Sequence, residues 1–226
     1  MTSEKINTEG LLGRKLGMTQ IFTQDGQCIP VTAIELGPCY ILQLKTVEKD
    51  GYNAVQLGFG AKKAQRVRKP LTGHFAVSGK GAFYHVREMR CDTDALGWTT
   101  LGQEICAKDL FNEGISVDVS GVSIGRGFTG VVRRYGMKGQ PATRGTHEYR
   151  RNIGSIGCRK TPGRVFKNKH MPVHYGDENV TVQNLKVVQV KPEQNVILVK
   201  GAVPGSKGGI VVVRKSKRSA AAKKAA

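Results

Sequence analysis

The sequence predicts a mainly β fold, a barrel or a sandwich, interrupted by one long basic excursion. Three observations carry this expectation. Short β-rich runs separated by turn residues recur through the first 125 residues and again after residue 180. Helical periodicity is scarce, with one short, weakly patterned candidate, "AKDLFNEG" from Ala107. The positive charge gathers in a glycine-rich stretch between the two sets of strands. A chain of 226 residues can build one ordinary core with an appendage, but not two large domains.

The strand candidates follow one another with turn signals between them. "MTQIF" leads into "TQDGQ", "IPVTAIEL" into "GPC", "YILQLKTV" into "EKDG", and "YNAVQLGFG" follows. Ile29, Val31, Ala33 and Leu36 give "IPVTAIEL" an imperfect alternation. The Asp25-Gly26 and Asp50-Gly51 pairs are firmer signals, because aspartate and glycine tolerate the positive φ of tight turns. Further strands are expected in "AFYHVREM", "ISVDVSGVS", "NVTVQNLKVVQV", "NVILVKGAV" and "GGIVVVRK". Those after residue 180 are too few for a core of their own and are expected to return and complete the first sheet.

The formal net charge of +19, from 36 basic and 17 acidic side chains, exceeds what solubility needs and implies a polyanionic partner. Nucleic acid is the first candidate. A spanning helix needs roughly 20 apolar residues, and the densest apolar run here is "GGIVVVRK". The start, "MTSEKINTEGLLG", has neither a secretory apolar region nor an Arg-rich transit character, so the chain reads as cytoplasmic. Cys28, Cys39, Cys91, Cys106 and Cys158 are odd in number and form no C-x-x-C pair, which suits a reducing compartment.

The charge is distributed very unevenly. Residues 1–125 carry 14 basic and 13 acidic groups; residues 126–170 carry 12 basic groups against the single acid Glu148; residues 171–226 carry 10 basic and three acidic groups. The middle segment also holds eight glycines and only scattered apolar residues, so it cannot make its own core. Loops longer than about 15 residues are uncommon unless they bind something or are disordered. Threaded among phosphates, each cation replaces counterions, and glycine lets the backbone approach closely. Arg126, Arg133, Arg134, Arg144, Arg150, Arg151, Arg159 and Arg164 are the leading phosphate ligands, since the guanidinium fork matches phosphate geometry. Phe128, Tyr135, Tyr149 and Phe166 either stack on bases or anchor the loop to its own root. Two smaller basic regions extend the footprint: "AKKAQRVRK", and the tail "RKSKRSAAAKKAA", expected to order only on binding.

Enzymatic motifs fail in turn. "GAVPGSKG" lacks the phosphate-loop order, and "GRGFTG" is no dinucleotide fingerprint. His147-Glu148 would need a histidine where Arg151 stands to begin a zinc helix. Cys158 with His147 has no supporting scaffold as a nucleophile and base, and Glu148 is expected to pair with or orient a neighbouring arginine. No enzyme activity, cofactor or metal is expected.

Several segments together resemble the bacterial type of the large-subunit ribosomal protein L three family. They are "GLLGRKLGMTQIF", "GYNAVQLGFGAKK", "KPLTGHF", "VDVSGVSIGRGFTGVVRRYG", "GSIGCRKTPGRVFKNKHM", "VTVQNLKVVQV" and "NVILVKGAVPGSKGG", in an order that covers almost the whole chain. The resemblance implies a translation-factor-like β-barrel, built from residues 1–125 plus 175–213, with a long, basic, largely irregular loop, 126–174, inserted in it and penetrating rRNA. Residues 214–226 would be a basic flexible tail. The loop tip would be Gly154, Ser155, Ile156, Gly157, Cys158, Arg159, Lys160, Thr161, Pro162 and Gly163, lying toward the peptidyl transferase centre. Some bacterial relatives carry a methylated glutamine where Lys160 stands, so that modification is not expected here.

Charge map and resemblance together nominate an rRNA-binding set. It comprises Lys62, Lys63, Arg66, Arg68, Lys69, Arg126, Arg133, Arg134, Lys138, Arg144, His147, Arg150, Arg151, Arg159, Lys160, Arg164, Lys167 and Lys169. The implied role is a structural constituent of the large ribosomal subunit that organises its rRNA and acts early in assembly. Expected partners are large-subunit rRNA and neighbouring large-subunit proteins, without a membrane or a homo-oligomer. The alternative is a transient RNA-binding translation or assembly factor.

Overall fold

β1 (Gly10–Phe22) is long enough to serve two neighbours. Its first half pairs with β12 (Ile210–Lys215), Leu11 opposite Val213, and most of its length pairs with β2 (Cys28–Leu36), Phe22 opposite Cys28. The computed structural model describes residues 9–91 and 100–216. Most of the basic tail lies outside the described residues, and with it the expectation that the tail orders on binding. Within the described chain, strands up to Val122 and from Asn179 onward form one compact unit, and Ser123–Glu178 form a second.

In the first unit, β7 (Ser116–Val122), β10 (Asn179–Lys191) and β11 (Val196–Lys200) complete the set begun by β1, β2 and β12. The order is β1-β12-β7-β10-β11-β2, every pairing antiparallel, and β2 returns to β1 so that the six strands close on themselves. The strands after residue 180 thus pair with strands from the start of the chain. Leu11, Leu12, Ile34, Leu36, Val119, Ile197 and Val213 are all fully buried, and they supply the ring's share of the main core.

One β-barrel taking up the strands of 1–125 and 175–213 is not what forms, and the sequence-based fold expectation is corrected here. β3 (Cys39–Lys45), β4 (Ala54–Lys62), β5 (Ala82–Arg90) and β6 (Glu104–Ile105) make a separate four-stranded sheet, order β5-β4-β3-β6, that does not close. The fold is mostly β with some helix and an irregular extension. Ile41, Val55, Leu57, Phe59, Met89 and Ile105 of the open sheet join the same buried cluster as the ring residues. Burying one face of each strand set against the other removes more apolar surface than either set could alone.

Short helices fill the connections. Val47–Asp50 ends at Gly51, whose φ of 79° supplies the left-handed turn expected of the Asp50-Gly51 pair. Lys69–Ala76, which the sequence reading did not predict, carries Pro70 in its first turn and buries Phe75 against Leu42 and Phe83. Ala107–Leu110, the predicted helix, starts where the Cys106 N–H donates to the Asp109 carboxylate at 2.8 Å. The connection after β11 is held by Lys15, whose ammonium donates to the carbonyls of Val203 at 2.7 Å and Gly205 at 2.9 Å. The glycine-lysine run "GAVPGSKG" therefore serves as a clamped link between strands.

Polar chemistry in the open sheet centres on Lys45, which lies 3.3 Å from Asp50 and 3.4 Å from Glu88. The Tyr52 hydroxyl donates to Glu88 at 2.7 Å, and this hydrogen bond, with the Lys45 charge, holds the Glu88 carboxyl below its usual range. Burial pushes the Cys39 thiol up to about 12, as befits a small apolar core residue.

Two outcomes follow. A Cβ at Gly13 would lie 2.5 Å from the Glu35 carbonyl oxygen, a backbone atom fixed by the β1–β2 pairing. Gly13→Ala is expected to lower unfolding free energy by about 1–3 kcal/mol, read by urea denaturation; unchanged stability would mean β1 can shift freely. A lowered carboxylate pKa contributes stability above the usual carboxylate range that is lost as pH falls through the lowered value. Tyr52→Phe is expected to raise the Glu88 pKa in an NMR pH titration of the side-chain carbons, and no rise would remove Tyr52 as the cause.

Candidate nucleic-acid interface

The second unit begins as a ladder. Ser123 N–H donates to the Glu178 carbonyl at 2.9 Å, Asp177 N–H to the Ser123 carbonyl at 3.2 Å, and Arg126 N–H to the Tyr175 carbonyl at 2.7 Å. β8 (Gly127–Thr129) then pairs with β9 (Val173–Tyr175). Backbone groups that a core-less segment would leave to water are thereby paired across its two arms. Gly130 leads into a helix, Val131–Tyr135, which Gly136 ends in the left-handed region at φ 67°. Val131 is the one residue of this helix that is buried.

The arms meet once more through side chains. The Tyr135 and His170 rings stack with centroids 4.0 Å apart and an interplanar angle of 5°. The Arg134 guanidinium carbon lies 4.9 Å from the Tyr135 ring centre. One Arg134 terminal nitrogen, Nη1, is buried without a hydrogen-bond partner among the described residues. A guanidinium left with an unsatisfied buried N–H is poised to gain from an added acceptor.

Past Gly136 the chain is irregular apart from one 3₁₀ turn, Glu148–Arg151. Two passes are tied where Gln140 N–H donates to the Arg150 carbonyl at 3.0 Å. A Cβ on Gly139 would collide with that same carbonyl, so glycine permits the close approach. Every residue from Gly154 to Lys169 is exposed, and Gly154 and Gly163 take positive φ. Within this stretch Ser155 Oγ donates to the Gly157 carbonyl at 3.2 Å.

Of the nominated residues, Lys63, Arg66, Arg68 and Lys69 are exposed in the first unit. Arg126, Arg133, Lys138, Arg144, His147, Arg150, Arg151, Arg159, Lys160, Arg164, Lys167 and Lys169 are exposed in the second; Lys62 and Arg134 are half-buried. Among the described residues the ion pairs are those of Lys45 alone, so no nominated cation is neutralised by an acid. Glu148, expected to pair with an arginine, makes no such pair and sits at the start of the 3₁₀ turn. With 12 cations and one acid over residues 126–170, the segment carries its charge outward.

The aromatic residues divide. Tyr135 anchors the root through His170, whereas Phe128, Tyr149 and Phe166 are 81%, 63% and 60% exposed. The Arg164 guanidinium lies 5.8 Å from the Phe166 ring centre. Sequence reasoning missed Tyr84: on β5 it receives a hydrogen bond from Arg66 at 3.3 Å and lies 5.4 Å under the Lys62 ammonium, organising the smaller basic cluster. Its neighbour Phe83 is buried, and the alternation of β5 turns Tyr84 to the open face. His147, Cys158, His170 and His174 do not gather: no group of three metal-binding side chains occurs among the described residues. Likewise, no described helix is long and apolar enough to cross a membrane. Unpaired cations interleaved with exposed rings on a glycine-rich backbone can bind phosphates and stack on bases.

Comparison with known proteins agrees along nearly the whole sequence. The family described as "Ribosomal protein L3" matches residues 85–195. Large ribosomal subunit protein uL3 of Syntrophotalea carbinolica is 51% identical over 211 residues, covering 93% of this chain and 99% of its own. That of Citrifermentans bemidjiense is 53% identical over 209 residues, covering 92% and 97%, and that of Anaeromyxobacter dehalogenans is 51% identical over 209 residues, covering 90% and 89%. At that identity and coverage, with the basic extension inside the matched range, the chain belongs to the bacterial-type uL3 family of ribosomal proteins.

Proposed function

We propose that this chain is a structural, non-catalytic component of the large ribosomal subunit that binds and organises its rRNA in the cytoplasm. The observation that carries the reading is the unpaired charge of the second unit: 12 cations against one acid over residues 126–170, with no ion pair among them. Membership of the uL3 family supports the same role. Residues 126–174 then act as the rRNA-entering extension, with the tip 154–163 toward the peptidyl transferase centre, and neighbouring large-subunit proteins contact the rest. Assembly is an early function, because a segment that needs counter-charge to pack stabilises RNA as soon as the RNA folds around it.

The nominated residues have different jobs in this reading. Arg126, Arg133, Arg134, Arg150 and Arg151, near the ladder and the 3₁₀ turn, hold phosphates at fixed spacing. Arg159, Lys160, Arg164, Lys167 and Lys169 neutralise a phosphate-dense region at the tip. Lys62, Lys63, Arg66, Arg68 and Lys69 hold RNA at the first unit, where Tyr84 fixes two of them.

Charge-neutral substitution of Arg133, Arg134, Arg150 and Arg151 is expected to weaken rRNA binding and flatten its salt dependence. Each true phosphate ligand contributes about one unit or slightly less to the logarithmic slope. Filter binding across a salt series measures this, and an unchanged slope would contradict the assignment. Replacing Arg159 and Lys160 by alanine is expected to disturb subunit assembly or translational accuracy while leaving the peptide-bond rate of assembled subunits near normal. A loss of roughly 100-fold or more, the scale of a missing general acid or base, without RNA displacement would contradict the structural role.

A further inference from the structure

The second unit carries an open cleft of about 560 Å³ between the start of its helix and its irregular part. That lies within the size range of small-ligand pockets, about 300–1,000 Å³. Its lining combines the buried Val131 with Gln140, Tyr149, Arg151, Asn152 and Gly154. No acidic side chain contributes to it. Gln140 and Asn152 place side-chain amides on this lining. The walls are fixed by backbone: Gln140 N–H donates to the Arg150 carbonyl, and Asn152 N–H to the Tyr149 carbonyl, each at 3.0 Å. Gly154, at φ 80°, brings its backbone close to the Gln140 amide, where a Cβ would lie 3.6 Å from the amide nitrogen.

We infer that this cleft receives one unpaired nucleotide extruded from the rRNA, its base held by Tyr149 and read by the amides of Gln140 and Asn152. Each part of the lining suits that occupant. Single-stranded bases splayed from RNA are recognised by stacking on aromatic rings and by hydrogen bonds to their edges. Asparagine and glutamine amides offer a donor and an acceptor side by side, matching the paired groups on a base edge. Arg151 at the cleft supplies a guanidinium for the same nucleotide's phosphate. A peptide from a neighbouring protein is less suited, because the surroundings are densely cationic and the cleft has one buried apolar side chain to offer an anchor.

This inference rests on the rRNA-binding reading and adds a specific site to it. The test uses the full chain bound to large-subunit rRNA. The bases are probed with dimethyl sulfate and a water-soluble carbodiimide, which together report the pairing edges of all four bases. One unpaired nucleotide within the footprint is expected to be protected. The double variant Gln140→Ala, Asn152→Ala is expected to restore its reactivity by roughly tenfold, the scale of losing a bidentate amide contact, while the rest of the footprint persists. A footprint identical in wild type and variant overturns the inference and leaves rRNA binding standing; no footprint at all removes both. If the variant fails to fold, ultraviolet crosslinking of the wild-type complex in assembled subunits decides. A crosslink from Tyr149 to a single nucleotide supports the site, whereas a crosslink to a protein, or none, overturns it.

Discussion

The pairing of Val122 with Asn179, at the junction of β7 and β10, is the constraint on which the rest of this molecule depends. It brings together two points separated by 56 intervening residues, 123–178, and makes the departing and returning arms of the extension start side by side. Closing so long a loop costs conformational entropy that the extension cannot recover from a core of its own. The six-stranded ring and the open sheet recover it through their shared buried cluster. Once the ends are fixed, the ladder from Ser123–Glu178 to Thr129–Val173 can form, and the Tyr135–His170 stack can follow.

Electrostatics then separates the two units. The first part of the sequence nearly balances its charge and can bury its apolar surface by ordinary packing; the extension carries 12 cations with a single acid and stays exposed from Gly154 through Lys169. Leaving the exposed cations unpaired costs little in water, where exposed ion pairs contribute little, and it keeps their charged heads available; Arg134, half-buried with an unpartnered Nη1, is the exception. Glycines at 136, 139, 154 and 163 provide the turns and close approaches that substitute for regular structure.

Much of the fold was legible because turn chemistry and β-branched runs are local signals: "IPVTAIEL", "AFYHVREM" and "NVILVKGAV" all contribute strands. How those strands group is not local. β3, β4 and β5 look like ring strands in sequence, yet they leave the ring for an open sheet, because pairing partners are decided by burial against the other strand set. The first half of β1 escaped notice since Gly10, Gly13, Arg14 and Lys15 disguise it, although Gly13 is needed for close packing and Lys15 for clamping the β11–β12 link. Lys69–Ala76 buries a single residue, Phe75, and so shows no helical stripe. The basic extension stood out from charge alone, whereas the cleft within it could not, since its lining comes from positions scattered between Gly130 and Pro172.

The central claim is that this chain holds large-subunit rRNA as a permanent structural part. Sedimentation of large subunits after a moderate salt wash, with the chain quantified per particle by mass spectrometry, tests it most directly. The account predicts one copy per mature large subunit, retained through the wash because many phosphate contacts must break together. Recovery chiefly in free fractions or in precursor particles, with mature subunits depleted of it, would contradict that claim and identify a transient factor instead.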